Sequence, residues 1–269
     1  MRGVSAGSLA EVVRLLEAAL EGGADAAQLG TDLFAVAVLL DAQPALRRAI
    51  TDPSTPPEAR ARVVSSVLEG KLSEPAVELS AAAAAERWSA TRDLADSLEH
   101  AGVIAQVSAA EDAGQGDELE DELFRFGRVV VGNAELRDVL TDRSAPVQGK
   151  QSLVTTLMEG KASAPSVRLA EQAVAGRHRS FEAALQEFTK VVADRRERFV
   201  ATVHTAQQLS DADKGRLAAA IAREYGRNVQ LNEVIDPDVL GGLRVEIGDT
   251  VIDGTVASKL DDARRRLTG

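Results

Sequence analysis

A chain of 269 residues with 45% hydrophobic but only 3% aromatic residues must fill its interior largely with alanine and leucine, which suits helix-on-helix packing. The net charge of −11 argues against binding phosphate backbones or anionic lipid, and the absence of cysteine excludes disulfides and thiolate metal sites. No stretch reaches the roughly 20 unbroken apolar residues of a membrane span: Leu33 to Leu40 is short and bracketed by Asp32 and Asp41. Met1 to Ser5 lack a signal-peptide pattern, so the expectation is a soluble protein of the cytoplasm.

Sliding the chain against itself by 90 residues brings turn residues into register. Leu33-Phe34 falls on Leu123-Phe124, Leu46-Arg47 on Leu136-Arg137, and Thr51-Asp52-x-Ser54-x-Pro56 on Thr141-Asp142-x-Ser144-x-Pro146. Glu69-Gly70-Lys71-x-Ser73-x-Pro75-x-Val77-x-Leu79 falls on Glu159-Gly160-Lys161-x-Ser163-x-Pro165-x-Val167-x-Leu169. With Val64, Ala83, Ala85 and Arg87 recurring at Val154, Ala173, Ala175 and Arg177, 19 positions between 33 and 87 coincide without a gap. Alanine content cannot account for turn residues at fixed offsets, so the sequence predicts a duplicated helical bundle, residues 1–105 and 106–195.

In the first copy, Thr55-Pro56-Pro57-Glu58 predicts a helix start with Thr55 as N-cap. Val63, Val64, Val67 and Leu68 form an apolar stripe that Gly70 ends. Ser73 and Ser163, each two residues before a proline, start the next helix of their copies. A helix from about Thr91 is expected to run through the copy boundary, because Val103, Ile104, Val107 and Ala110 keep the 3.6-residue period. Asp112 to Asp117 then forms a turn. From about Arg196 the pattern changes to a small α/β domain, residues 196–269. Phe199 to Thr205 alternates as a strand, and Ser210-x-x-Asp213 caps a helix through Leu217, Ile221 and Tyr225, closed by Gly226. Leu243, Val245 and Ile247 alternate, Gly248-Asp249 makes a two-residue hairpin loop returning through Thr250-Val251-Ile252, and Asp253-Gly254 opens a last helix with Val256, Leu260, Ala263 and Leu267 on one face.

The residues do not assemble a catalytic motif. Gly70-Lys71 and Gly160-Lys161 lack the earlier glycine and the following hydroxyl of a phosphate-binding loop; Ser65, Thr155, Leu72 and Ala162 stand there instead. Gly241-Gly242 lacks the third glycine of a dinucleotide fingerprint. His100, His178 and His204 are scattered. The acidic run from Asp117 to Glu122 suits the start of a helix. Trp88 aligns with His178, which excludes a stacking role common to both copies.

The segment Val229-x-Leu231-x-x-x-Ile235-Asp236-x-x-Val239-x-Gly241-Gly242-Leu243-x-Val245-Glu246-x-Gly248 resembles the C-terminal signature of the F-type ATP synthase delta subunit family, which includes the oligomycin sensitivity conferral protein. Val251-Ile252-Asp253-Gly254-Thr255-Val256 continues it, and Glu122-Leu123, Glu135-Leu136-Arg137, Leu140 and Lys150 resemble the family's N-terminal bundle. The additional bundle at 1–105 is similar to the extended actinobacterial form. The resemblance implies a non-catalytic stator subunit without metal, cofactor or small-molecule substrate, peripheral to the cell membrane on its cytoplasmic face. It implies a bundle that grips N-terminal helices of the alpha subunits, and a C-terminal domain that holds a b-type stalk subunit encoded separately. For alpha the expected groove lies between residues 103–110 and 163–175, on Val103, Val107, Ala110, Val167, Leu169 and Ala170. For the stalk it is the surface at Leu240, Gly241, Gly242, Leu243, Arg244 and Val245. The first bundle is expected to add a contact to stalk or head. A free-standing helical adaptor and, behind it, a nucleotide-binding enzyme are the other classes the sequence leaves open.

Overall fold

The structure is a computed structural model, describing residues 3–142, 144–175, 177–198, 200–225, 230–236, 239, 242–247 and 250–253. It divides into two compact units, Met1–Val192 and Ala193–Gly269.

The first unit is all helical: α1 (Val4–Glu21), α2 (Ala26–Ala42), α3 (Pro44–Thr51), α4 (Pro57–Leu68), α5 (Glu74–Ala85), α6 (Asp93–Asp112), α7 (Gly116–Gly132), α8 (Ala134–Thr141), α9 (Val147–Met158), α10 (Ala164–Ala173) and α11 (Phe181–Arg198), the last continuing past the unit's edge. Helices α2 to α5 and α7 to α10 start 90 residues apart, pair by pair. The position between residues 105 and 106 lies inside α6, which therefore closes the first copy and opens the second. One continuous core, from Val12 to Val192, runs through both copies. No single helix among the described residues is long and apolar enough to cross a membrane; α2 and α3 meet that test only together, and they are bent by 104°.

Turn chemistry places the ends of these helices. Gly70 and Gly160 take φ of 71° and 68°, the left-handed region that ends α4 and α9. Helix α4 starts one residue later than the sequence suggests: Pro56, not Thr55, is the cap, at ψ 140°, with no side-chain cap hydrogen bond. Pro57 causes this, because the residue before a proline is driven from the helical region into the extended one. The N-caps Ser73 and Ser163 do not cap with their own hydroxyls. A carboxylate from the neighbouring helix does so: Asp32 Oδ2 accepts from Ser73 N (2.9 Å) and Oγ (2.5 Å), and Glu122 Oε2 accepts from Ser163 N (3.0 Å) and Oγ (2.7 Å).

Helices α2 and α6 run antiparallel in close contact. A Cβ on Gly30 would stand 3.0 Å from the Gly102 carbonyl oxygen and 2.6 Å from Gln106 Nε2, and one on Gly102 would stand 2.6 Å from the Phe34 ring. Gln106 Nε2 donates to the Ala27 carbonyl across the same crossing (2.9 Å).

The second unit holds a four-stranded sheet of order β2-β1-β3-β4, from β1 (Val200–Thr205), β2 (Gln230–Ile235), β3 (Leu243–Ile247) and β4 (Thr250–Asp253). Strand β1 pairs parallel with β2 (Val203 opposite Glu233) and antiparallel with β3 (Val203 opposite Val245); β3 pairs antiparallel with β4. Helix α12 (Asp211–Tyr225) makes the β1-to-β2 crossover. Ser210 and Asp213 cap it reciprocally, as their spacing predicts. Ala201, Val203, Ile221, Val245 and Ile247 form the core. Gly226, Val229, Leu240, Gly241, the hairpin loop Gly248-Asp249, Gly254 and the last helix lie outside the described residues.

Candidate functional site

Helices α6 and α10, which carry the residues expected to form the alpha-binding groove, are in contact. Val103, Val107 and Ala110 of α6 and Leu169 and Ala170 of α10 are all 0–1% exposed. Only Val167 is half-buried, with Arg168 exposed beside it. Helix α6 has so little free surface because α2 covers one side and the second copy the other. Its counterpart α1 buries only Ser5, Ser8, Val12 and Leu16.

A polar cluster locks the second copy onto the first. Arg177, just beyond α10, donates to the Ala37 carbonyl at the end of α2 (3.0 Å), to Asp96 of α6 (2.7 Å) and to Asp41, while its Nε stands 3.0 Å from Glu99 Oε1. Glu99 also accepts from Gln172 (2.5 Å) and bonds His178 Nε2 (2.9 Å), whose Nδ1 lies 3.3 Å from Glu187. Burial pushes the Glu99 carboxyl up, yet the His178 hydrogen bond and the Arg177 charge outweigh it and leave its pKa lowered. The hydrogen bond to Glu99 raises the pKa of His178. Burial raises that of Asp96 against the pull of Arg177. Most of its polar atoms are held by other members of the cluster, while Arg177 Nε makes an ion-pair approach to Glu99 without a hydrogen bond, and its chemistry is that of a joint between elements. Among the described residues, no group of three or more His, Asp or Glu stands together as metal ligands would.

In the second unit, Gly242 takes φ 92° at the entry to β3. Leu243 is half-buried, Val245 is buried, and Arg244 pairs with Glu246 on the opposite face. Of the signature residues, Val239 is buried, its N–H bonding the Asp236 carbonyl (3.2 Å), and Leu231 packs on the core. Asp236 donates its own N–H to Thr205 O (2.9 Å), extending the β1–β2 pairing, and Asp253 ends β4. Ile235 on edge strand β2 and Val251 and Ile252 on edge strand β4 are exposed.

Sequence reasoning missed several exposed apolar residues of the second bundle. Phe124 (61% exposed), Val129, Val131 and Val139 lie open on α7 and α8. On another face of α7, Phe126, Val129, Leu157 and Met158 line an open cleft of about 240 Å³ rimmed by Arg125 and Lys161. The signal was present in the 90-residue comparison: Phe34 and Phe124 align, but Gly30 aligns with Glu120 and Gly102 with Val192.

Comparison with known proteins matches residues 104–267 to the family described as ATP synthase delta (OSCP) subunit. The chain is 48% identical to an "ATP synthase subunit delta" of Kineococcus radiotolerans, over 99% of this chain and 98% of that one. It is 48% identical to one of Nocardioides sp., over 98% and 97%. It is 42% identical to one of Thermobifida fusca, over 100% of both chains. These relatives match end to end, so the extra first bundle is common to them as well. Matched over its second bundle and C-terminal unit by the family model, and over its whole length by these relatives, the chain belongs to the ATP synthase delta (OSCP) subunit family, a structural and non-catalytic part of the synthase.

Proposed function

We propose that this chain is the peripheral-stalk link of a proton-translocating F-type ATP synthase, holding the catalytic head against the torque of the rotor. The observation that carries this reading is the end-to-end match to delta subunits. It is supported by exposed apolar surface on both units: α7 and α8 on the first, the edge strands on the second. A link under torque needs a grip at each end, and each unit offers one.

In this reading the second bundle engages N-terminal helices of the alpha subunits. Val167 and Arg168 of α10 are the accessible residues of that contact, over the buried α6–α10 packing. The second unit engages the b-type stalk through the surface around Leu240 to Ile247, and the assembly sits on the cytoplasmic face of the membrane. Neither contact uses a metal, a cofactor or a small-molecule substrate. The test is depletion and add-back. Synthase stripped of this chain should lose proton-coupled ATP synthesis while the free head still hydrolyses ATP, and adding the chain back should restore coupling. A stripped synthase that stays coupled overturns the proposal. For the stalk contact, a chain ending at residue 192 should fail to co-purify the b subunit; undiminished recovery overturns that assignment.

A further inference from the structure

His178 stands in the turn between α10 and α11, edge-on to the buried ring of Phe188, with 5.5 Å between ring centres and 90° between planes. Its Nε2 lies 2.9 Å from Glu99 Oε2 of α6, and its Nδ1 lies 3.3 Å from Glu187 Oε2 of α11. Both ring nitrogens therefore face carboxylate oxygens. Imidazolium can donate to both; the neutral ring has one N–H and presents a lone pair at the other nitrogen.

The two carboxylates are not equivalent. Glu99 is 5% exposed, and its other oxygen accepts from Gln172 of α10 (2.5 Å) and ion-pairs with Arg177 (3.0 Å), so it is fixed in place. Glu187 is 64% exposed and has water to turn into. Arg177, the cation beside the ring, is shared among Glu99, Asp96 of α6 and Asp41 of α2. The first copy has no such arrangement. Trp88 takes the place of His178 there, and its Nε1 donates to the Ala83 carbonyl (2.9 Å), a bond that no proton in the physiological range alters.

We propose that His178 is a proton-operated latch between α6 and α11, closed when the ring carries both protons and released from Glu187 when it loses one. The proton that remains stays on Nε2, against the buried Glu99. The bare Nδ1 then faces a second carboxylate, and the exposed Glu187 side chain turns away. The hydrogen bond to Glu99 raises the pKa of the ring above 6.5, with Glu187 adding to it and burial and Arg177 opposing, so the latch opens as pH rises through that raised value. Helix α11 runs from Phe181 to Arg198 and leads into β1, so the latch sets how firmly the start of that helix is held to the shared helix α6. It is a property of the chain by itself, independent of the stator reading.

Glu187→Gln in the full-length chain tests the latch, because it removes the charge from an exposed side chain and keeps its size. Hydrogen exchange of the amides at 181–190, with the intrinsic rate at each pH divided out, compares it with wild type. At pH 6 the wild type should be the better protected by about two- to fivefold, the range of a partly exposed ion pair. At pH 8.5 the two should coincide. In parallel, the titration of the His178 ring, followed by NMR, should move to lower pH in Glu187→Gln. A protection gap of the same size at both pH values, no gap at either, or a His178 titration that the substitution leaves unmoved overturns the proposal.

Discussion

Gly102 shows how one missing side chain sets the geometry of a whole bundle. Its Cα faces the Phe34 ring so closely that a methyl group would stand 2.6 Å from it, and the ring has no free volume to retreat into because Phe34 is only 6% exposed. Gly102→Ala should therefore destabilise the chain by about 1–3 kcal/mol despite the better helix propensity of alanine; denaturant unfolding measures it, and a stabilised variant would contradict the packing described. His178 carries a second prediction. Its pKa is raised above 6.5 by the hydrogen bond to Glu99, with Glu187 adding to the effect and Arg177 opposing it. A raised histidine pKa means the folded state holds the proton more tightly than the unfolded state does. The stabilisation is complete below about pH 6.5 and disappears as pH rises through the folded value. Wild type should exceed His178→Asn in stability by more at pH 6 than at pH 8.5, and a gap that widens with pH would reverse this reading.

Among the elements, the helix starts at Ser73 and Ser163 show what sequence could and could not reveal. Serine followed by proline announces a helix, and both helices are where that pattern puts them. The group that caps them is Asp32 or Glu122, each 41 residues earlier in the chain, and no local spacing encodes such a partner. Glu122→Ala removes acceptors from Ser163 N, Ser163 Oγ and Ser166 Oγ together, so it should cost about 1–3 kcal/mol. Glu122→Asp should recover part of this, since aspartate performs the same task in the first copy. Equal stability of Glu122→Ala and wild type, by thermal melting, would refute the cap. The same distance effect hid other features. Periodicity identified β1, β3 and β4, but β2 (QLNEVI) lacks clean alternation and stays half-exposed at the sheet edge. Helical periodicity also marked Val103, Val107 and Ala110 as apolar without telling a partner groove from a core; burial on both sides of α6 distinguishes them. The 90-residue repeat was legible because turn chemistry is local, whereas the close approach of α2 and α6 depends on which glycines oppose each other across space.

At the scale of the molecule, duplication has not produced two independent bundles. Helix α6 belongs to both copies, the core runs through both, and Arg177 from the second copy is buried against α2 and α6 of the first. A buried guanidinium that loses its place leaves Asp41, Asp96 and Glu99 without their shared cation, which typically costs about 3–5 kcal/mol. Arg177→Met should therefore lower the stability of both copies together. Hydrogen exchange reads this directly: amides of α2, in the first copy, should lose protection in parallel with those of α10, in the second, although the substitution is in the second copy alone. Loss of protection restricted to residues 164–192 would mean that the copies unfold separately and that α6 is a linker rather than a shared core element. Joint loss fits a link in the peripheral stalk, because force entering one bundle then spreads over the packing of both before any single helix gives way.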